Sequence, residues 1–348
     1  MEAGPKAWPS ASPRSTPVPP RLSWSGGVRL RRVSGPLPEP RATSTRTERP
    51  VSTVTIRTVA ECNRESIVEA LALVRSLRAF GGTQAETVCE IHFVERLPDD
   101  VAAFEELGAT LKTVERFDER CPHANKLQIH YPVETDYLLA MDCDVVVAGD
   151  FSRFMVGDAV SSAVDWGDWM EPGRWEELFA AASIPFPTNR MLTARLWQET
   201  VHYPNTGVLV VPRQHVEALR AEWSGRVEEL LTAADSRQWW GDRQRYFTDQ
   251  IAMTLVNHCG AFPTRVLPIE MNWLLKFDDL PVELGAERRQ PILLHSIHRM
   301  RFQSGHLLPH SYPLIDEAIR RYNALLDPIT EGELEEALRH FEESDRGW

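Results

Sequence analysis

Asp142 and Asp144 stand two residues apart at the end of an almost wholly apolar run, YLLAMDCDVVV, residues 137–147. Along a β-strand that spacing sends both side chains to one face. Two carboxylates on one face repel each other unless a cation or a set of donors compensates them. Hard oxygen ligands of this kind suit Mg²⁺ or Mn²⁺, with phosphate oxygens and water completing the shell. The plainer alternative is a pair of acids that caps the next helix or faces solvent, and the tripeptide by itself leaves both readings open. The apolar run ahead of it favours the metal, because a buried strand end keeps two acids only when something offsets their desolvation.

Such a pair needs a scaffold to present it. Residues 51–60 (VSTVTIRTVA) are β-branched and alternating, the pattern of a strand. Ile67, Val68, Leu71, Val74 and Leu77 recur at helical spacing over residues 65–80, and Gly81 and Gly82 close that helix. Residues 87–95 predict a second strand, Pro98 to Asp100 the start of a short helix that stops near Gly108, and residues 109–114 a third strand. Residues 127–131 fit a helical segment closed by Pro132, and residues 137–147 a fourth strand, buried on both faces. This alternation predicts an α/β fold with a mainly parallel central sheet flanked by helices, in which ligands gather at the carboxyl ends of the strands. In the second half, residues 161–165, 207–211 and 291–295 are expected as strands. Residues 214–232 and 248–256 are expected as helices, and residues 329–343 as a charged amphipathic helix on the outside.

The bulk composition narrows the classes. Apolar residues make up 43% of the 348, enough for a sizeable core, and the net charge of −12 argues against nucleic acid as a main partner. Residues 1–50 differ: they hold ten of the 25 prolines and nine Lys/Arg against three Glu, a local charge of +6 that leaves −18 for the rest. Such a segment buries too little apolar surface to order itself; its Arg- and Ser-rich, acid-poor character also matches an organelle transit peptide. The five cysteines form no CxxC pair, so a cysteine zinc site and a disulfide framework are not expected, and free thiols point to a cytoplasmic protein. No apolar run reaches 18 residues, so no membrane span is expected. The expected organisation is a disordered segment 1–50, one domain over 51–310 and a helical extension over 311–348.

The run around Asp142 and Asp144 resembles the DxD strand of GT-A nucleotide-sugar transferases, in particular the retaining family that includes glycogenin and the bacterial galactosyltransferases of lipooligosaccharide synthesis. Three further segments match that family in order. Asn125, Lys126 and Leu127 resemble its lysine-bearing segment, Tyr203 through Val208 (YPNTGV) its N-[ST]-G strand, and Thr248, Asp249 and Gln250 its D-Q helix. The resemblance covers about residues 51–310 and implies a single GT-A (Rossmann-like) domain that moves a sugar, with retention, from a nucleotide sugar to a hydroxyl acceptor. UDP is the family default for the nucleotide.

The resemblance also implies roles. Asp142 would contact the donor's ribose or the metal, and Asp144 would bind Mn²⁺ or Mg²⁺ firmly, with a late histidine as third ligand: His295, or His298 in reserve. Lys126, Arg299 and Arg301 are candidates to neutralise the diphosphate, which leaves well only when its charge is compensated. Asp249 and Gln250 would stabilise the oxocarbenium-like sugar or hold its hydroxyls. Asn205 would bond the donor sugar, or simply fill a turn after Pro204. Gly207 would admit the ligand to the backbone or permit a strand kink. Thr58, near the end of the first strand with Arg57 and Val59, and Asn125 complete the expected donor site. Trp166, Trp169, Trp175, Trp197, Trp239 and Trp240 offer rings for an acceptor glycan, although core packing is the commoner use of Trp.

Three rivals compete with this reading. Asp142 through Val146 also fits the nucleophile motif of haloacid-dehalogenase-type phosphatases, but there the motif follows the first strand, and here three precede it. A sugar-1-phosphate nucleotidyltransferase needs a Gly-rich loop after the first strand, and residues 58–63 contain no glycine. A catalytically inactive domain that binds glycans or a protein is the non-enzyme alternative.

Overall fold

The computed structural model describes residues 52–168, 170, 173–194, 198–232, 247–276, 289–297, 300–301, 304–328, 330, 332–334 and 339, all within the compact unit Pro50–Trp348. The segment 1–50 and most of the helix expected over 329–343 lie outside the described residues.

The first half follows the expected alternation. Strand β1 (Val54–Ala60) leads to helix α1 (Arg64–Phe80), which Asn63 caps by accepting the Ser66 N–H at 2.9 Å. Next come β2 (Val88–Val94), the short α2 (Ala102–Glu106) and β3 (Thr110–Val114). A 3₁₀ segment, Pro122–Ile129, stands where a helical stretch is expected and leads to β4 (Tyr137–Asp142). β1 pairs in parallel with both β2 and β4, so the strand order 3-2-1-4 turns back at the β1/β4 boundary. That boundary is where open α/β sheets bind ligands, and Asp142 lies on it, in register with Val59 of β1.

The single continuous strand expected over residues 137–147 is corrected. β4 ends at Asp142, Cys143 and Asp144 form a turn, and β5 (Val145–Val147) joins a different sheet. The acidic pair therefore sits at a corner between two sheets rather than on one face of one strand. The apolar run hides the corner because both sheets bury their strands: Val145, Val146 and Val147 are as enclosed as Leu138 and Leu139.

The remaining strands of the main sheet are β6 (Val160–Val164), β9 (Pro204–Pro212) and β10 (Thr264–Val266), giving the order β10-β6-β9-β4-β1-β2-β3. Between β6 and β9, α3 (Arg174–Ala181) and the two-residue strands β7 (Met191–Leu192) and β8 (Glu199–Thr200) form an excursion. β9 runs antiparallel to β4, which brings its first residues to the carboxyl end of β4. Against β6 it bulges: Ser162 pairs with Leu209 but the next residue, Ala163, pairs with Asn205, so Thr206, Gly207 and Val208 drop out of that ladder.

Helices α4 (Val216–Thr232) and α5 (Thr248–His258) and the 3₁₀ segment cover one face of the sheet, around the fully buried Trp223. α1 covers the other, with Leu73, Leu77, Ile91, Phe93 and Met141 in contact. A small sheet of β5, β11 (Trp273–Leu274) and β12 (Leu293–His295) packs under α6 (Pro313–Asn323) through Trp273, Ile315, Ile319 and Tyr322. A two-stranded ribbon, β13 (Met300–Arg301) with β14 (His306–Leu307), lies between them in sequence. No helix among the described residues is long and apolar enough to cross a membrane.

Candidate metal and donor site

β12 pairs antiparallel with β5, His295 opposite Val145. This register places the imidazole beside the corner carboxylates. His295 Nε2 lies 3.1 Å from Asp144 Oδ1 and 3.9 Å from Asp142 Oδ2, and one ligand atom from each of the three residues falls within 4.8 Å of the others. Ile297 adopts φ +40°, a costly conformation for a β-branched residue, and its N–H donates to Asp144 Oδ2 at 3.1 Å. The strained turn after β12 thus fixes the second carboxylate. Burial disfavours a charged His295, yet the Asp144 and Asp142 carboxylates outweigh it and raise its pKa above the usual imidazole value. The corner attracts positive charge. Two carboxylates and one imidazole within reach of one centre are a donor set that fits Mn²⁺ or Mg²⁺. His298 and Arg299 lie outside the described residues, as does the side chain of Arg301.

Beneath the pair, Glu69 of α1 accepts the Cys143 thiol at 3.6 Å. Burial first, and then the charge of Asp144, push Glu69 up to about 9, so it is a neutral neighbour of the acidic pair at pH 7.

Lys126 comes from the 3₁₀ segment. Its buried ammonium lies 2.9 Å from Asp142 Oδ1, donates to Thr206 Oγ1 at 3.1 Å and stands 3.5 Å from Asp249 Oδ2. Burial alone would lower its pKa; Asp142 and Asp249 reverse that and hold it above the ordinary lysine value. Thr206 in turn donates to Asp249 Oδ2 at 2.7 Å, while Asp249 Oδ1 is buried with no hydrogen-bond partner among the described residues. Sequence reasoning assigns no role to Thr206, although it fills the [ST] position of the YPNTGV segment.

Asp165, at the end of β6, accepts from Trp166 N (2.8 Å), Asn205 Nδ2 (3.2 Å) and Gln250 Nε2 (2.6 Å). Burial outweighs these donors and raises its pKa to about 7. Asn205 Oδ1 accepts from Gly207 N at 3.0 Å and from Asn272 Nδ2 at 2.8 Å, and Asn272 Oδ1 meets His295 Nδ1 at 3.0 Å. Asn272 has no signal in the sequence. Gly207 is needed for space: a Cβ there would collide with His295 Cε1.

Other expected donor-site residues are placed differently. Thr58 is fully buried inside β1, its hydroxyl without a partner among the described residues. Asn125 is buried and ties Phe117 N (2.8 Å) to Glu61 (3.1 Å). Arg57 turns away from the site to bind Glu90 at 2.6 Å and the carbonyls of Ile129, Tyr131 and Pro132. Of the tryptophans, Trp175 packs in the core and donates to Asp168 at 2.7 Å, Trp166 is half-buried, and Trp169, Trp197, Trp239 and Trp240 lie outside the described residues.

A domain family described as Rhodobacterales glycosyltransferase domain matches residues 58–260. The match contains Lys126, Asp142, Asp144, Asn205 and Asp249 and stops short of Asn272 and His295. Similar solved structures include an active-site mutant of LgtC, 12% identical with a TM-score of 0.50 over 80% of this chain and 98% of that one. GlyE of Streptococcus pneumoniae TIGR4 is 15% identical (TM-score 0.44), covering 79% of this chain and 62% of its own, so the chain spans less than two thirds of it. Mouse xyloside xylosyltransferase 1 is 15% identical (TM-score 0.43), covering 70% of this chain and 97% of its own. No curated protein matches the chain in sequence. The LgtC likeness and the mainly parallel sheet carrying Asp142 and Asp144 at a strand end agree on a GT-A fold.

Proposed function

The chain belongs to the Rhodobacterales glycosyltransferase domain family, and from that premise we propose that it transfers a sugar from a nucleoside-diphosphate donor to a hydroxyl acceptor with the help of a divalent cation. The observation that carries this reading is the convergence of Asp142, Asp144 and His295 at the carboxyl end of β4, beside Lys126 and Asp249. These three residues would hold Mn²⁺ or Mg²⁺. Such an ion, when bound, neutralises charge on a departing diphosphate.

The chain's own residues supply the rest. Lys126 adds a fixed positive charge between Asp142 and Asp249. Asp249 Oδ1 is a buried acceptor without a hydrogen-bond partner among the described residues, and we assign it to a hydroxyl of the donor sugar. Gln250, next to Asp249 in the chain, donates to Asp165. The retaining course implied by the resemblance is our reading; an inverting transfer would need a carboxylate base, for which Asp249 or Asp165 would be the candidates, and Asp165 already accepts from three donors. UDP is the expected nucleotide and a glycan or other hydroxyl compound the expected acceptor. Five free cysteines fit a reducing compartment, the cytoplasm. The phosphatase reading loses ground because the acidic pair follows the fourth strand of the sheet, inside the matched family domain.

The test is release of nucleoside diphosphate from a panel of UDP-sugars, with and without Mn²⁺, by the wild type and Asp144→Asn. Turnover that needs the metal and drops about 10²-fold or more in the variant, with an unchanged circular dichroism spectrum, is expected. Full activity in Asp144→Asn, or turnover indifferent to chelator, would sink the assignment.

A further inference from the structure

We infer that Asn272 is a positioning residue that sets the tautomer of His295 and so turns its Nε2 lone pair toward Asp142 and Asp144. This rests on the metal reading given above and goes beyond it, since Asn272 lies in none of the four motifs that carry the resemblance and outside the matched domain.

The polarity of each group follows from a donor whose direction is beyond choice. The backbone N–H of Gly207 can only donate, so the Asn205 atom 3.0 Å from it is the amide oxygen. The Asn205 amino group is then left for Asp165 Oδ1 at 3.2 Å, an acceptor that suits it. The same Asn205 oxygen meets Asn272 at 2.8 Å, and a second oxygen there would repel it, so Asn272 presents its NH₂. The Asn272 oxygen is thereby aimed at His295 Nδ1, 3.0 Å away, which must carry a proton. In the neutral imidazole only Nε2 then keeps a lone pair, and Nε2 is the atom that lies 3.1 Å from Asp144. Asn272, Asn205 and His295 are all buried, so water does not compete for these bonds. Histidine ligands are commonly oriented by a hydrogen bond at the other ring nitrogen, and loss of that partner typically weakens metal binding about 10–100-fold. Here the partner is an amide whose own orientation traces back to the β9 bulge.

The experiment titrates Mn²⁺ alone into wild type, Asn272→Leu, Asn272→Asp, His295→Ala and Asp144→Asn, reading free Mn²⁺ by electron paramagnetic resonance and stability by urea melts. Asn272→Leu is expected to bind Mn²⁺ about 10–100-fold more weakly. Asn272→Asp keeps an acceptor for Nδ1–H and is expected to stay within a few-fold of wild type, even though it loses the bond to Asn205 and with it stability. A purely structural role would instead make affinity follow stability in both variants. If Asn272→Leu binds Mn²⁺ as the wild type does while His295→Ala and Asp144→Asn do not, the positioning role is overturned and the metal site stands. If His295→Ala and Asp144→Asn also bind normally, the site falls, and the role with it. Should Asn272→Leu fail to fold, proton–nitrogen correlation spectra of the imidazoles in the Mg²⁺-loaded wild type decide the matter: His295 protonated at Nδ1 supports the inference, and protonation at Nε2 overturns it.

Discussion

Gly207 matters for the atom it lacks. Any side chain there would occupy the volume of the His295 ring and crowd Asn205 Oδ1 at 2.9 Å. Gly207→Ala should therefore displace His295 or splay the bulge, with a stability cost of about 1–3 kcal/mol, the usual range for overpacking. Calorimetric titration of Mn²⁺ should show a clear loss of affinity; unchanged affinity would mean that the ring is not held against β9. At this scale the sequence is informative where residue type carries chemistry. The acidic pair, Lys126, Asp249 and His295 are all legible in it, and they converge. Asn205 and Gly207 each carry two readings in the sequence, and the structure gives both a local structural role. Asn205 orders the amide chain, and Gly207 makes room for the imidazole of a candidate metal ligand. The role of Thr206, although it fills the [ST] position of a motif, and Asn272 altogether are not legible, because a threonine in a strand and an asparagine in a loop are ordinary there.

Elements hold the site through connections that cross the sheet. The 3₁₀ segment carrying Lys126 has only short-range backbone hydrogen bonds, and the chain at its far end is tied down by Arg57, which reaches the carbonyls of Ile129 and Pro132. Arg57 is in turn held by Glu90, which also binds Lys112 at 2.7 Å and Tyr131 at 2.8 Å. Partial burial would raise the Glu90 pKa, but hydrogen bonds from His92, Lys112, Tyr131 and Arg57 overcome it and hold this carboxyl well below the usual range. Glu90→Gln should cost about 3 kcal/mol at neutral pH, because it strands a buried guanidinium. The sign with pH follows from the depressed pKa. The stabilisation is complete above the unfolded carboxylate value and is lost as pH falls below it toward the folded one. In urea melts the gap between wild type and variant should be full above about pH 5 and shrink below about pH 4; a gap constant with pH would exclude an ionic origin. These ties join β1, β2, β3 and the 3₁₀ segment, a neighbourhood that no local pattern announces.

For the whole molecule, residues 51–348 carry a formal charge of −18, and part of it is concentrated at one half-buried corner. Without a cation, Lys126 and His295 offset Asp142 and Asp144 only in part, so folding should be linked to metal. Mn²⁺ at about 100 times its Kd should add about 2.7 kcal/mol, seen as a rise in Tm that EDTA reverses. Asp144→Asn should start from a Tm near or above the metal-free wild type and respond little to Mn²⁺. A wild type whose Tm ignores Mn²⁺ would argue that the corner does not bind it.

The sequence by itself determined the α/β class, the approximate bounds of most strands and helices, and the acidic pair at a strand end. Those properties are local: periods of 2 and 3.6 and a two-residue spacing survive without knowledge of the fold. Tertiary structure alone decided that the strand breaks at Cys143 and Asp144, that β12 lies against β5, and that His295 meets Asp144. It also decided that Asn272 joins Asn205 to that histidine. The bonds from His295 to Asn272, from Asn272 to Asn205 and from the Ile297 N–H to Asp144 span 23, 67 and 153 residues. Partners so distant are chosen by sheet order and by the space a single glycine leaves, and neither is written in any short window of the chain.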